Sequence, residues 1–335
     1  MAHTRRQFLT ELSALTVGST LLGPGFAHAE PPPETKTIRL LHLPAICAAP
    51  QYIAEEFLRL EGFENIQYVE LTDTKTPGAY HIAKGLADIS MWDLPALLPL
   101  LDANEPVVVL AGVHAGCFEL FGNSSVNGIR DLKGKTIAVS VIGGSEYVLL
   151  SSIIAYVGMD PRKDVRWITG TKVRDAMRLF VEKKADAFLA FAPQPQELRA
   201  KKIGRVILNT AQDRPWSQYF CCVIAGNREF VRKNPIATKR AIRAILKGAD
   251  LCADQPEQAA RHLVAKNWEP RYGIALEVLK ELPYRRWREA NPEDTLRFHA
   301  LRLYETGLIK TDPNQLIAQG TDWRFLNELK KELKA

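Results

Sequence analysis

Between residues 38 and 209 the sequence alternates short apolar runs of strand length with stretches whose apolar residues recur at helical spacing. This alternation restricts the fold more than any other feature. Strands are predicted at 38–43, 66–71, 87–90, 107–113, 136–141, 165–168, 187–190 and 205–209. Helices are predicted between them, at 51–60, 79–85, 95–101, 146–157, 174–182 and 194–202. The run from Val107 to Val113 is continuously apolar, which suits a strand buried on both faces. Strands separated by helices predict parallel sheets with helices on both faces. From Asn227 onward the strand pattern stops. Helices are predicted over 235–253, 256–266, 273–282, 292–306 and 323–333, several opened by Asn or Asp before Pro. Such a tail must bury its apolar faces, and the α/β part is the economical surface for it.

With 335 residues the chain is long enough for two domains, each with its own core. A content of 46% hydrophobic and 24% charged residues excludes a disordered chain. Cysteines at 47, 117, 221, 222 and 252 are odd in number and lack framework spacing, so disulfides are not expected as the scaffold. The net charge of +6 comes without a basic run interleaved with aromatics, so no nucleic-acid partner is expected.

Thr4-Arg5-Arg6-Gln7-Phe8-Leu9 precedes an apolar stretch from Leu12 to Leu22 and then Ala27-His28-Ala29. A charged start, a short apolar middle and an A-x-A end predict an export signal at 1–29, and the paired arginines predict the twin-arginine route. The apolar stretch is too short to span a membrane well. A Pro-rich leader follows at 30–35, where three prolines forbid helix.

Three strand-to-helix junctions carry the candidate chemistry. Gly143-Gly144-Ser145-Glu146 leads a strand into a helix whose first N–H groups are free for a ligand; a tight turn capped by Ser145 is the alternative. Ser90-Met91-Trp92-Asp93 puts an indole and a carboxylate at another junction, where core packing and helix capping are the alternative. The third, from His42 through Cys47, is too apolar for a free surface loop. Ligands of open α/β sheets sit at such carboxyl ends of strands. The segment from Gly128 to Thr136 resembles a phosphate loop but has one residue too many and runs into a strand, so it is rejected. His42 with Cys47, His114 with Cys117, and Cys221-Cys222 lack zinc-site spacing, and no metal or cofactor is expected. No elbow, zincin or dinucleotide motif occurs in the N-terminal half. The basic stretch 284–288 reads as a solvated helix end.

Further stretches carry a resemblance. Asp131-Leu132-Lys133-Gly134-Lys135-Thr136-Ile137-Ala138-Val139, then Gly144-Ser145, then Val157-Gly158-Met159-Asp160-Pro161 stand in one order. Gly85-Leu86-Ala87-Asp88-Ile89 and Lys184-Ala185-Asp186-Ala187-Phe188 form a pair, and Asn234-Pro235 with Gln255-Pro256-Glu257-Gln258-Ala259-Ala260 open two tail helices. Together they resemble the periplasmic solute-binding proteins of ABC importers in the nitrate/sulfonate/taurine group, which includes thiamine-pyrimidine-precursor binders. The resemblance implies a two-lobed α/β fold of periplasmic binding protein type 2, with parallel-rich sheets, two hinge crossings and a helical C-terminal tail. It places lobe 1 at 36–115 plus 226–335 and lobe 2 at 116–225.

It also implies a ligand held between the lobes by the loops at 42–51, 90–93, 143–146 and 191–194. The candidate contacts are His42, Cys47, Gln51, Met91, Trp92, Asp93, Gly144, Ser145, Glu146, Phe191 and Gln194, with Glu119 beside them and Trp216 and Tyr219 as an aromatic wall. These loops contain no Lys or Arg, while Asp93, Glu119 and Glu146 lie in or beside them. That shifts the expected ligand from nitrate or bicarbonate toward a neutral or amine-bearing solute such as a pyrimidine, with a sulfonate- or taurine-like solute still open. The resemblance implies a periplasmic, monomeric, non-enzymatic binding protein that serves a permease. The alternatives are a pyrimidine-forming enzyme on the same fold and a sensor docking to a membrane receptor.

Overall fold

The computed structural model describes residues 30–71, 76–170 and 175–334. The export signal expected at 1–29 lies outside the described residues. Strand β1 (Thr37–Leu41) runs parallel to β2 (Asn65–Val69), with helix α1 (Ala49–Leu60) between them in sequence. Helix α2 (Tyr80–Ala83), β3 (Ile89–Asp93), α3 (Leu94–Asp102) and β4 (Val107–Ala115) follow. The chain then crosses to a second sheet made of β5 (Phe118–Gly122), β6 (Thr136–Val139), β7 (Arg166–Thr169), β8 (Ala187–Phe191) and β9 (Arg205–Asn209), in the order β7-β6-β8-β5-β9. Helices α4 (Ser145–Tyr156), α5 (Asp175–Val181) and α6 (Gln194–Ala200) connect these strands. Strand β10 (Phe220–Asn227) returns and inserts between β3 and β4.

The two larger sheets are mixed, with one reversed strand in each, and the β1–β2 sheet is parallel. β6 runs parallel to β7 and β8, but β5 is antiparallel to β8 and β9, and β10 is antiparallel to β3 and β4. The antiparallel strands are the two that cross between sheets, β5 and β10. Each enters from the neighbouring sheet and not over a helix, so it runs against its neighbours. β10 belongs to the three-stranded sheet from Phe220 on, although residues up to 225 are expected in lobe 2. The outgoing crossing turns at Gly116, at φ +40°, where a Cβ would lie 2.3 Å from the Ala211 backbone. Only glycine fits there.

After β10 the described chain is helical: α7 (Arg228–Lys233), α8 (Pro235–Asp254), α9 (Pro256–Ala265), α10 (Tyr272–Glu281), α11 (Arg286–Glu289), α12 (Pro292–Glu305), α13 (Pro313–Gly320) and α14 (Arg324–Glu332). Asn227, Asn291 and Asp312 cap α7, α12 and α13 through their side-chain oxygens. For α8 the cap is Glu34 from the leader, whose carboxylate accepts from the N–H groups of Ile236 at 2.9 Å and Ala237 at 2.8 Å. The tail packs through α8 onto α1, so closely that a Cβ on Gly248 would meet the Pro50 carbonyl at 2.3 Å. The basic stretch 284–288 is not a solvated helix end. Tyr284 and Trp287 are fully buried, and Arg288 stacks on Trp287 while pairing with Asp250 at 2.6 Å. Aromatics between the arginines anchor it to the core. No helix among the described residues is long and apolar enough to cross a membrane.

Candidate functional site

The carboxyl ends of β1, β3, β6 and β8 converge on one cavity of about 140 Å³. Its walls come from the loop after β1 (Leu43, Pro44, Cys47), the β3–α3 junction (Met91, Trp92, Asp93), the β6–α4 turn (Ser140, Gly144, Ser145, Glu146) and the end of β8 (Phe191). Cys117 and Phe118 of the outgoing crossing and Cys222 of β10 complete it. The lining is mostly apolar and, among the described residues, includes no Lys or Arg.

Each wall is held from behind. The Tyr52 hydroxyl accepts from the Leu43 N–H at 2.7 Å and donates to the Leu43 carbonyl at 2.8 Å, which fixes the apolar loop. Gln51 is buried and ties the loop to β3. Its amide donates to the Leu41 carbonyl, and its oxygen accepts from Ser90 Oγ and the Met91 N–H. Trp92 lies over Gly78, where a Cβ would come within 2.4 Å of the indole. The Trp92 Nε1 is buried without a hydrogen-bond partner among the described residues.

At the cavity, two hydrogen bonds among the described residues cross the seam between the sheets. The Ile46 N–H donates to the Ala192 carbonyl at 3.2 Å, and the Ser145 hydroxyl donates to Asp93. Ser145 does not cap α4; Gly144 is the N-cap residue and offers no side chain. Glu146 fills the place instead, buried with its carboxylate accepting from Ser140 Oγ at 2.6 Å and favoured by its own backbone N–H. The helix start therefore already holds a carboxyl group.

Burial raises the Asp93 pKa to about 8, against the opposing hydrogen bonds from Ser145 and the Ala96 N–H. Burial also raises Glu146, opposed by Ser140. An unfolded Asp titrates near ~3.9. Between roughly pH 4 and pH 8 the folded chain thus keeps a proton on Asp93 that the unfolded chain has lost. The contribution of Asp93 to stability falls as pH rises through that window. Asp93→Asn is expected to flatten this slope, with its largest relative gain above pH 8, in urea denaturation at pH 5 and pH 8.5. An unchanged slope would mean that Asp93 stays ionised in the fold.

The structure separates the other candidates. His42 and Gln194 line an adjoining groove that shares Pro44, Leu71 and Phe191 with the cavity, and His42 Nδ1 sits 2.5 Å from Glu70. Glu119 points away and pairs with Arg199. Trp216 and Tyr219 lie behind the crossings, Tyr219 stacked on Phe298 at 4.1 Å and Trp216 edge-on to Tyr156. Cys117, Phe118 and Cys222 enter the cavity although no loop reading placed them there. They belong to the crossings, which sequence spacing does not mark as a wall.

Sγ of Cys47, Cys117 and Cys222 and a ring nitrogen of His114 all lie within 4.8 Å of one another beneath the cavity. These four side chains form a donor set for a soft metal ion. Cys252, by contrast, is buried in α8 with nothing but burial acting on its thiol.

The sequence profile of the NMT1/THI5-like family matches residues 49–259, and the chain belongs to that family. No curated protein sequence matches it. The fold is shared with the periplasmic nitrate-binding protein NrtA from Synechocystis PCC 6803, at TM-score 0.76 and 16% identity over 91% of this chain and 90% of that one. It is shared too with the alkanesulfonate-binding protein SsuA from Xanthomonas axonopodis pv. citri bound to MOPS, at TM-score 0.68 and 17% identity over 88% and 99% of the two chains. The desulfurization enzyme DSZB is similar at TM-score 0.58 and 14% identity over 89% and 99%.

Proposed function

We propose that the protein is the exported capture component of an ABC importer. It holds a small, flat, mainly apolar solute with amine or N–H donors between its lobes and passes it unchanged, as a monomer, to a membrane permease. The observation that carries this reading is the cavity at the seam, apolar on most sides, with Asp93, Ser140, Ser145 and Glu146 as its polar edge and Trp92 as a flat wall. A ligand touching both sides stabilises the closed arrangement by its differential affinity. Two proteins of the same fold are named as binders of nitrate and of alkanesulfonate, which supports capture. The cavity's described walls bring no cation, and Glu146 occupies the helix start where an anion would sit. An amine or N–H donor instead meets two carboxyl groups whose burial makes a partner valuable.

Thermal shift against aminopyrimidines, arylalkylamines, taurine, alkanesulfonates and nitrate tests the reading. The melting temperature is expected to rise with the aminated aromatics and not with nitrate, as mass action requires. The bound compound should be recovered intact by mass spectrometry. Tight nitrate binding would overturn the ligand chemistry, and conversion of the ligand would overturn the carrier role.

A further inference from the structure

We propose that Cys47, His114, Cys117 and Cys222 form a tetrahedral Cys3His site for a thiophilic d10 metal ion, zinc or cuprous copper, at the floor of the cavity. The four donor atoms lie within 4.8 Å of one another, and every one of the four residues is buried. A tetrahedron with zinc–sulfur bonds of about 2.3 Å has edges of about 3.8 Å, so closing the widest pair by up to about 1 Å forms the site. Three thiols and an imidazole are a structural-zinc donor set, and thiolates are equally the ligands that select Cu+.

A second observation points to the same ion. His114 Nδ1 lies 3.2 Å from the Ala115 carbonyl, the contact that orients a metal-binding imidazole from behind. The other nitrogen, Nε2, is fully buried with no hydrogen-bond partner among the described residues. A buried polar atom left this way is costly, and an ion among three sulfurs would satisfy it. The Tyr284 ring packs edge-on to His114 at 5.1 Å and holds its plane.

The ligands are delivered by features that plain core packing does not need. Cys47 sits in the short 3-10 turn Ile46–Ala48 after β1. Cys117 follows the tight Gly116 turn and has its N–H held by Thr210 Oγ1 at 3.2 Å. The β10–β4 register shifts on both sides of Cys222, and such a bulge re-aims a side chain. The ion would tie both crossings to the loop after β1. Cys47, Cys117 and Cys222 face the cavity, which gives the ion its entry path. Binding releases the thiol protons to solvent, with no change in oxidation state.

The test uses the whole chain, reduced and handled without oxygen, loaded with Zn2+ or Cu+ and freed of excess metal. One ion per chain is expected by elemental analysis, and the Co2+ form should show sulfur-to-cobalt charge transfer with intense tetrahedral d–d bands. Cys117→Ser and Cys222→Ala should lower zinc content at least tenfold, whereas Cys252→Ala should retain one ion. His114→Ala separates the metals. It should abolish zinc loading and leave Cu+ on the three thiolates. Fewer than about 0.1 ion of either metal in the unmodified protein would overturn the site, as would full loading of Cys222→Ala. The unmodified chain decides that point even where a variant fails to fold. Solute capture is independent of it: a protein that takes up neither metal yet binds an aminopyrimidine overturns this site and leaves the capture role standing.

Discussion

Arg199→Met is expected to lower folding stability by about 3 kcal/mol at neutral pH. Arg199 on α6 donates to Glu119 on β5 and to Glu277 and Glu281 on α10, the latter two at 2.8 and 2.7 Å. Glu119 is the buried member. Burial raises its pKa and the guanidinium opposes that rise, while Glu277 and Glu281 stand close enough to add to it. Without the cation a buried carboxyl is left facing two others, with Asn209 as a weak donor at 3.4 Å. Breaking a buried pair usually costs about 3–5 kcal/mol, and the partly exposed guanidinium places this pair at the lower end. The loss should shrink at acid pH, where Glu119 is protonated in both folded and unfolded chains. Combining Glu119→Gln with Arg199→Met should recover most of it, because no buried charge then remains and Glu277 and Glu281 reach solvent. Urea denaturation of the four proteins decides. A loss in Arg199→Met below 1 kcal/mol, or an equal loss with and without Glu119→Gln, would sink the assignment of Glu119 to this network.

Glu119 also shows where sequence reasoning stopped. Helices and strands were legible because periodicity is local: the 51–60 and 146–157 patterns became α1 and α4 within two residues at each end. The crossing strands were not. Phe118–Gly122 is buried on both faces and only five residues long, so it carries no alternation, and its pairing is set by strands 65 or more residues away. The strand-to-helix junctions announced Met91, Trp92, Asp93, Gly144, Ser145, Glu146 and Phe191 as cavity walls because a loop at a strand's carboxyl end has one place to go. Gln51 and Glu119 look equally polar in sequence, but their partners, Ser90 and Arg199, lie 39 and 80 residues away. The Cys3His cluster was hidden for the same reason. Spacing rules describe knuckle-like sites, whereas these ligands come from one loop and two crossings that only the fold brings together.

Trp92→Ala is expected to weaken binding of an aminopyrimidine probe by about 30- to 150-fold, corresponding to roughly 2–3 kcal/mol. The indole lines the cavity beside Asp93, together with Ser145 and Glu146 of the start of α4. It offers stacking area and a face for an ammonium group, while its buried Nε1–H has no partner among the described residues. Trp92→Phe keeps the flat face and removes the donor, and should lie between the two. Packing against Gly78 supplies the competing account, in which Trp92 only fills the wall. That account predicts a large loss of melting temperature with an unchanged dissociation constant. Because Trp92 is only partly buried, unlike Met91 beside it, truncation here should cost the fold less than it costs the ligand. Calorimetric titration together with the melting temperature of each variant separates the accounts. Unchanged affinity in Trp92→Ala would move the ligand away from this wall, toward the groove lined by His42 and Gln194.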